Sequence, residues 1–471
     1  MYGLLVGHVK MTWTEVSPGV YSTELGGVEK IYRFFSHLFK PTGREHWGLY
    51  CSCTLELGSP FSQRDPATAL RDAWKALRQE FPGLAIVPDG LTKKTYVLPD
   101  ASRVERWADE TFFVDHTDPD AILASYPARD TPSMYFFPES SQVLFLASHW
   151  RIDGLGTCMI MERFFSILAA LTPSPSAESW TNDLHKVSPR LEDALGAPTE
   201  ETPEIQALAQ QQIADHHKNA IHAGGIPYLG DATTPPGSPV RTFIKFNRET
   251  TSALIAACKA RGISVTSAFY AALANAALAL SRDETPEKYT AVMAVNMRNY
   301  VKPPYNSKDH AVQVYIIGRS PTVEHSCTFD EKTAQFAAYS KDWYNDEFLR
   351  AYRVSTRHHY DAMAKRPAPP AGVPPPKPPS GVTLSSLGVI EKMLPSEYEG
   401  GAVKVTDFHF GVSMMTRQML LYVWTFDGKM SFSINYNEAY HDTKAVKWLL
   451  EFIRQVLAKE VGVTLEPEEK A

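Results

Sequence analysis

Apolar and polar residues alternate with two different periods along the first part of this 471-residue chain. Residues 47–57 alternate with the two-residue period of a strand that buries one face. Asp65 and Pro66 follow, and they are the residue types that begin a helix, an N-cap and a first-turn proline. Apolar residues then recur at helical spacing, at Leu70, Trp74, Leu77 and Phe81. A strand followed by an amphipathic helix predicts an α/β structure.

The rest of the pattern divides the chain into two halves joined by a crossover. Residues 186–240 are rich in Pro, Ser, Thr and charged residues, and they separate a first half at 1–185 from a second half at 241–471. In the second half the pattern predicts helices at 250–261, 265–281, 330–352 and 443–459, and strands at 290–297, 311–317, 383–387, 403–410, 419–426 and 430–436. Prolines crowd residues 365–379, which predicts an extended surface loop or disorder. We expect mixed α/β sheets in two halves of similar content.

The candidate chemistry follows an apolar strand predicted at residues 142–147. This strand delivers His149 to its end, and Asp153 and Gly154 then lead into a long apolar helix. A neutral imidazole at the end of a strand can act as a general base, because its ordinary pKa lies near 6.5. Asp153 is expected either to cap the helix or to turn back under the loop. Gly154 is expected to permit the tight backbone reversal of that loop.

The spelling His-x-x-x-Asp-Gly at 149–154 resembles the motif of the coenzyme A-dependent acyltransferase superfamily. That superfamily includes the BAHD-type alcohol acyltransferases, fungal trichothecene acetyltransferases and the condensation domains of peptide synthetases. A second His-x-x-x-Asp at 116–120 lacks the glycine and contains a proline, so it predicts a turn. The chain is most similar to the fungal secondary-metabolite O-acetyltransferases, such as the trichothecene 15-O-acetyltransferases.

Two later segments resemble further parts of the superfamily pattern. The strand that ends in Asn296-Met297-Arg298 resembles the strand whose arginine pairs with the motif aspartate. Ser385 and Ser386 lie in a segment that resembles the small polar strand facing the reaction tunnel. The resemblance therefore implies Arg298 as the partner of Asp153, and it implies the two serines as substrate-binding residues.

A third segment resembles the Asp-Phe-Gly-Trp-Gly loop of the plant enzymes. Asp407 and Gly411 match that loop, as does the phenylalanine between them, whereas His409 replaces its central glycine and Phe410 its tryptophan. The resemblance implies a structural role for Asp407 and Gly411.

The resemblance also implies an architecture and a reaction. Two chloramphenicol-acetyltransferase-like subdomains would stack around a central solvent tunnel. His149 would act as general base in direct transfer from acetyl-CoA, or another acyl-CoA, to a hydroxyl of a secondary metabolite such as a trichothecene-type terpenoid. Asp153 would orient the loop, and no covalent acyl-enzyme and no bound cofactor would be needed.

Two other classes of function remain open at this point. An amide-forming condensation enzyme shares the motif, but such domains usually have a second histidine immediately before it, where this chain has Ser148. A non-catalytic relative that only binds a ligand is the other class, and the intact His149, Asp153 and Gly154 argue against it.

Composition adds mainly exclusions. The net charge of -6 gives no reason to expect nucleic acid or anionic lipid as a partner. No apolar run has transmembrane length, and the first residues lack the basic start of a secretory signal. The five cysteines are scattered, which favours a reducing cytoplasm, and no metal-ligand spacing appears. We expect a cytoplasmic monomer whose partners are acyl-CoA and a small alcohol.

Overall fold

The computed structural model describes residues 13–173, 175–176, 180–220, 225–282, 286–365 and 378–468. Most of the proline-rich segment predicted at 365–379 lies outside these residues. The described helices are α1 (Gly27–His37), α2 (Pro66–Glu80), α3 (Ala101–Thr111), α4 (Pro119–Ser125), α5 (Gly154–Ala169), α6 (Leu191–Leu195), α7 (Pro203–Ala220), α8 (Arg248–Ala260), α9 (Val265–Ala279), α10 (Phe329–Tyr339), α11 (Asp346–Ala364) and α12 (Thr443–Val461).

The described strands belong to several sheets. They are β1 (Thr14–Ser17), β2 (Val20–Glu24), β3 (Gly48–Leu57), β4 (Val87–Asp89), β5 (Lys93–Val97), β6 (Phe112–Val114), β7 (Ser133–Phe137), β8 (Gln142–Ser148), β9 (Pro239–Lys245), β10 (Lys288–Thr290), β11 (Met293–Asn296), β12 (Ile316–Arg319), β13 (Thr322–Glu324), β14 (Val382–Val389), β15 (Glu397–Tyr398), β16 (Val403–Val412), β17 (Met419–Phe426) and β18 (Lys429–Asn437).

Two larger sheets organise the fold. The first has the order β15-β16-β3-β8-β7-β6 and the second has the order β14-β17-β18-β9. Both are mixed, because β6 pairs with β7 and β14 pairs with β17 in parallel, while the other pairs are antiparallel. Strands β15 and β16 come late in the chain but complete the first sheet. The expected mixed α/β class is confirmed, while the boundaries at 185 and 240 stay a prediction.

Each sheet is covered by helices on one face. Trp74 of α2 and Phe145 of β8 meet in the first core, with ring centroids 6.2 Å apart. Phe269 of α9 packs on Phe432 of β18 in the second core, at 5.4 Å. Burying one such aromatic side chain stabilises the fold by roughly 1.5–3 kcal/mol. Tyr422 and Trp424 of β17 also join the first core, where they pack on Phe410 and Phe408 of β16 at 5.2 and 6.0 Å.

Two predicted elements of the second half are wrong. The single helix predicted at 330–352 is two helices, because Asp342 has a left-handed backbone (φ 51°) and Asn345 caps α11 by accepting from the Phe348 N–H. The strand predicted at 311–317 pairs only from Ile316 onwards. The residues before it bond to a buried arginine and aspartate of the candidate site instead of to a strand.

No single helix within the described ranges is long and apolar enough to cross a membrane, and only the pair α8 and α9, bent by 93°, reaches that criterion together.

Candidate active site

His149 stands immediately after β8, at the edge of the first sheet. Ser148 is the last paired residue of this strand, opposite Gly48 of β3, so the histidine leaves the sheet. Only 9% of His149 is exposed. Its ring stacks on Tyr32 of α1, with centroids 4.1 Å apart and an interplanar angle of 22°. A helix from the beginning of the chain therefore covers the candidate base.

Burial determines the charge of this imidazole. It lowers the pKa of His149 from 6.5 to about 4, although the nearby backbone of His149 and Ile152 and the Asp153 carboxylate favour the protonated ring. Nδ1 has no hydrogen-bond partner of good geometry among the described residues. At neutral pH the ring is uncharged and able to accept a proton.

Asp153 anchors the loop that follows His149. Its carboxylate is fully buried and accepts from the Gly156 N–H at 2.8 Å, so it caps α5. The same carboxylate accepts from Arg298 Nη1 at 2.7 and 2.9 Å and from the Tyr315 N–H at 2.7 Å. The two functions weighed for Asp153, helix cap and arginine partner, are thus both present.

Arg298 is buried beneath the same loop. Besides the ion pair with Asp153, its Nη2 donates to the backbone carbonyls of Ala311 and Gln313 at 3.3 and 3.4 Å. These contacts explain why residues 311–315 do not join a sheet. Their backbone carbonyl and N–H groups already form hydrogen bonds with Arg298 and Asp153. The guanidinium also lies over the Tyr315 ring, 5.4 Å from its centroid.

Two glycines leave room for these contacts. Gly154 has an ordinary helical backbone, so the expected need for a special loop conformation is wrong. A Cβ at Gly154 would instead lie 3.1 Å from Leu387 and 3.2 Å from Phe410. A Cβ at Gly156 would meet the Ala311 carbonyl and would lie 2.9 Å from Arg298 Nη2. Close packing against the Ala311 backbone therefore requires glycine at position 156, and the packing around Gly154 is tight.

The two candidate serines face opposite sides of β14. Ser385 pairs with Tyr422 of β17, whose ring meets Phe410 of the first sheet at 5.2 Å, so Ser385 faces the space between the sheets. Ser386 faces α9, where its Oγ lies 3.0 Å from Thr266 Oγ1.

Asp407 and Gly411 lie on β16, on the face opposite to Phe408 and Phe410, where they approach β9 and β18 of the second sheet. Asp407 accepts from Lys245 at 2.8 Å and from His409 Nε2 at 3.1 Å. Burial alone would raise the pKa of Asp407, but these partners hold it well below its ordinary value. A Cβ at Gly411 would meet the Tyr50 hydroxyl and Asn435 Oδ1, so the glycine lets the sheets approach.

Ser148 contacts a carboxyl group behind the histidine. Its hydroxyl donates to Glu45 Oε2 at 3.0 Å. Burial raises the pKa of Glu45 to about 7, against the opposing effect of Ser148 and two arginines. Within the described part of the chain, no group of three or more His, Cys, Asp or Glu side chains is placed to hold a metal ion.

Comparison with known proteins decides the family. The chain is 46% identical over 464 residues to O-acetyltransferase pigM of Monascus ruber, covering 97% of this chain and 89% of that protein. It is 37% identical over 450 residues to azaphilone biosynthesis cluster protein M of Aspergillus terreus, covering 95% of this chain and 98% of that protein. The chain belongs to this family of fungal pigment-cluster O-acetyltransferases. It is an acyltransferase, as the motif predicted.

Solved structures share the fold. The TRI3 trichothecene 15-O-acetyltransferase from Fusarium sporotrichioides is similar with a TM-score of 0.76 and 15% identity, covering 94% of this chain and 97% of that chain. A variant of the starter condensation domain of rhizomide synthetase, in complex with C8-CoA, has a TM-score of 0.59 and 13% identity, covering 95% and 96%. A family model described as phthiocerol/phthiodiolone dimycocerosyl transferase C-terminus matches residues 235–326. The acyltransferase fold with two halves is confirmed.

Sequence reasoning missed two residues of the site. The sequence around Tyr32 does not indicate that it contacts His149. Helix α1 precedes His149 by more than a hundred residues, and its apolar pattern does not show which residues it packs against. Gly156 does carry a sequence signal. Glycine has a poor helix propensity, so two glycines in the first three residues of an apolar helix, Gly154 and Gly156, indicate a special packing requirement.

Proposed function

We propose that this protein is an acetyl-CoA-dependent O-acetyltransferase that acts on a hydroxyl of a fungal secondary metabolite, with His149 as the general base. The observation that carries the proposal is the buried, neutral imidazole at the end of β8, next to a loop anchored by the Asp153–Arg298 pair. A base of this kind takes the acceptor proton during attack, because an alcohol does not ionise at neutral pH.

The reaction then proceeds in one ternary complex. The acceptor oxygen attacks the thioester carbon while its proton moves to His149, which forms the C–O bond and a tetrahedral intermediate. The intermediate collapses with cleavage of the C–S bond, and the imidazolium returns its proton to the leaving CoA sulfur. Holding both substrates together supplies the orientational part of the rate enhancement.

A covalent acyl-enzyme finds little support nearby. The Ser148 hydroxyl is buried and donates to Glu45 Oε2 at 3.0 Å. Cys158 is fully buried, and burial raises the pKa of its thiol well above the ordinary value. A thiol that stays protonated is a poor nucleophile.

The remaining candidate residues receive positioning roles in this proposal. Asp153 and Arg298 hold the loop of His149, and Gly154 lets that loop pack against Phe410. Ser385 would contact substrate from the second sheet. Ser386 would hold β14 against α9 through its contact with Thr266. Asp407 and Gly411 would fix how closely β16 approaches the second sheet.

The names of the relatives favour one acceptor class over another. A trichothecene-type terpenoid, which the resemblance implies as acceptor, is the substrate named for a protein of only 15% identity. The azaphilone cluster protein shares 37% identity, so an azaphilone-type polyketide alcohol is the first acceptor to assay. The C8-CoA complex of the condensation domain supports an acyl-CoA as the donor. We also propose a cytoplasmic monomer without nucleic-acid or membrane partners.

Initial velocities with acetyl-CoA and an azaphilone alcohol varied together test this mechanism. Direct transfer gives intersecting double-reciprocal plots, and mass spectrometry after exposure to acetyl-CoA alone finds the protein unmodified. Parallel lines with a stoichiometric adduct on Ser148 or Cys158 would refute it. The matching amine in place of the alcohol checks for an amide-forming enzyme, and absence of thiol release with either acceptor would point to a ligand-binding relative.

A further inference from the structure

A cavity of about 110 Å³ lies where the two sheets meet. The first sheet and α4 contribute Tyr50, Asp120, Leu123 and Tyr126, and Ser413 follows the end of β16. The second sheet contributes Arg241 of β9 and Asn435 of β18. Roughly 10–15 Å³ of such space holds one water molecule. The cavity therefore has room for a ring substituent of several heavy atoms.

Three residues that line this cavity keep buried polar atoms without a partner in the described structure. Asn435 is 1% exposed; its Oδ1 accepts from the Tyr50 hydroxyl at 2.7 Å, but Nδ2 is unpaired. Ser413 is 2% exposed, and its Oγ is unpaired. Arg241 pairs with Asp120 at 3.0 Å through Nη2, which leaves Nε and Nη1 unpaired. Native proteins rarely leave buried donors unsatisfied, and each such group calls for a ligand or water.

The free groups share one chemical character. The Arg241 Nε and Nη1 and the Asn435 Nδ2 can only donate, and the Ser413 hydroxyl can donate as well. The one carboxylate on the cavity wall, Asp120, is mostly exposed and already bonded to Nη2. A matching ligand group accepts several hydrogen bonds and carries negative charge, as a carboxylate, an enolate or a phosphate does.

The sheet register relates the cavity to His149. Gly48 pairs with Ser148, and the Ser413 N–H donates to the Gly48 carbonyl at 2.8 Å. Two strand spacings therefore separate the backbone of Ser413 from that of Ser148, the residue before His149. At the usual strand spacing this distance is about 10 Å. A distance of this order is within the length of a fused-ring molecule that has its hydroxyl at His149.

We propose that this cavity binds a carboxylate or enolate oxygen of the acceptor and that Arg241, Asn435 and Ser413 position the acceptor for acetylation. The term acceptor rests on the proposed function, whereas the preference for an anionic oxygen does not. The adenosine bisphosphate end of CoA carries the same oxygen chemistry, but it is far larger than the cavity.

Isothermal titration calorimetry of the full chain separates these sources without any need for turnover. The probes are benzoate, benzyl alcohol as its neutral analogue, and adenosine 3′,5′-bisphosphate. We expect benzoate to bind at least 10-fold more tightly than benzyl alcohol. Arg241→Met and Asn435→Asp should abolish that preference, because the first removes the cation and the second adds a negative charge at constant size. Arg248→Met, at an exposed ion pair on α8, removes the same charge and should keep the preference.

The outcomes are distinguishable. No preference for benzoate in the wild-type protein, or a preference that survives both variants with normal melting temperatures, overturns the site. Tight binding of the bisphosphate that Arg241→Met abolishes would assign the cavity to CoA and also overturn the proposal. If benzoate behaves as expected but no alcohol is acetylated, the anion site stands and only the proposed function fails.

Discussion

Asp153→Asn tests how much the buried ion pair contributes to this fold. The wild-type carboxylate accepts four hydrogen bonds, from the Gly156 and Tyr315 N–H groups and twice from Arg298. An asparagine at this position places an NH₂ group against donors, and it leaves the Arg298 charge buried without a counter-charge. Breaking one partner of such a pair costs about 3–5 kcal/mol. That is a large fraction of the roughly 5–15 kcal/mol that holds a domain folded.

Arg298→Met should cost less, near the lower end of that range. The Asp153 carboxylate would still accept from two backbone N–H groups, so its charge is only partly uncompensated. The double variant carries neither buried charge. Its loss of stability should therefore fall at least about 2 kcal/mol short of the sum of the single losses.

Urea unfolding at pH 7, followed by circular dichroism and compared at equal m-values, measures these differences. Glu80→Gln provides the control, because the Arg163–Glu80 pair is 45% and 39% exposed and should contribute no more than about 1 kcal/mol. If the two single losses add within about 0.5 kcal/mol in the double variant, Asp153 and Arg298 are energetically independent and the reasoning is refuted.

Three further predictions follow from the site. His149→Gln should lower kcat by about 10²–10⁴-fold at pH 7 with an unchanged melting temperature, and near-normal turnover would remove His149 from the mechanism. Burial lowers the pKa of His149 to about 4 in the folded protein, whereas in the unfolded chain it stays near 6.5. As the pH falls below 6.5, His149 is therefore protonated in the unfolded chain before it is protonated in the folded one, which favours unfolding. The wild-type protein should then lose up to about 3 kcal/mol relative to His149→Gln between pH 6.5 and 4, and parallel stability curves would contradict this. Gly156→Ala should destabilise by about 1–3 kcal/mol, because its Cβ would meet the Ala311 carbonyl, whereas Gly381→Ala, with open space around it, should be nearly neutral in the same urea assay.

The local architecture of the site was readable from sequence because its signals are contiguous. The apolar strand, His149, the capping Asp153 and the apolar helix α5 lie within some thirty residues, and each is specified by periodicity or capping chemistry that acts over a few residues. The pairing of Asp153 with Arg298 was anticipated only through the resemblance, since no local pattern joins positions 145 residues apart.

Tertiary structure alone decided which faces and strands meet. The two-residue period of β16 predicts a strand with one buried face. It does not predict that β16 pairs with β3 instead of with a strand of the second half. The sequence likewise does not give the stacking of Tyr32 on His149, the choice of Ser385 over Ser386 as the serine that faces the first sheet, or the cavity between Arg241 and Asn435. Alternation of apolar and polar residues predicts that one face of a strand is buried. Which other strand or helix covers that face is determined only by the tertiary packing.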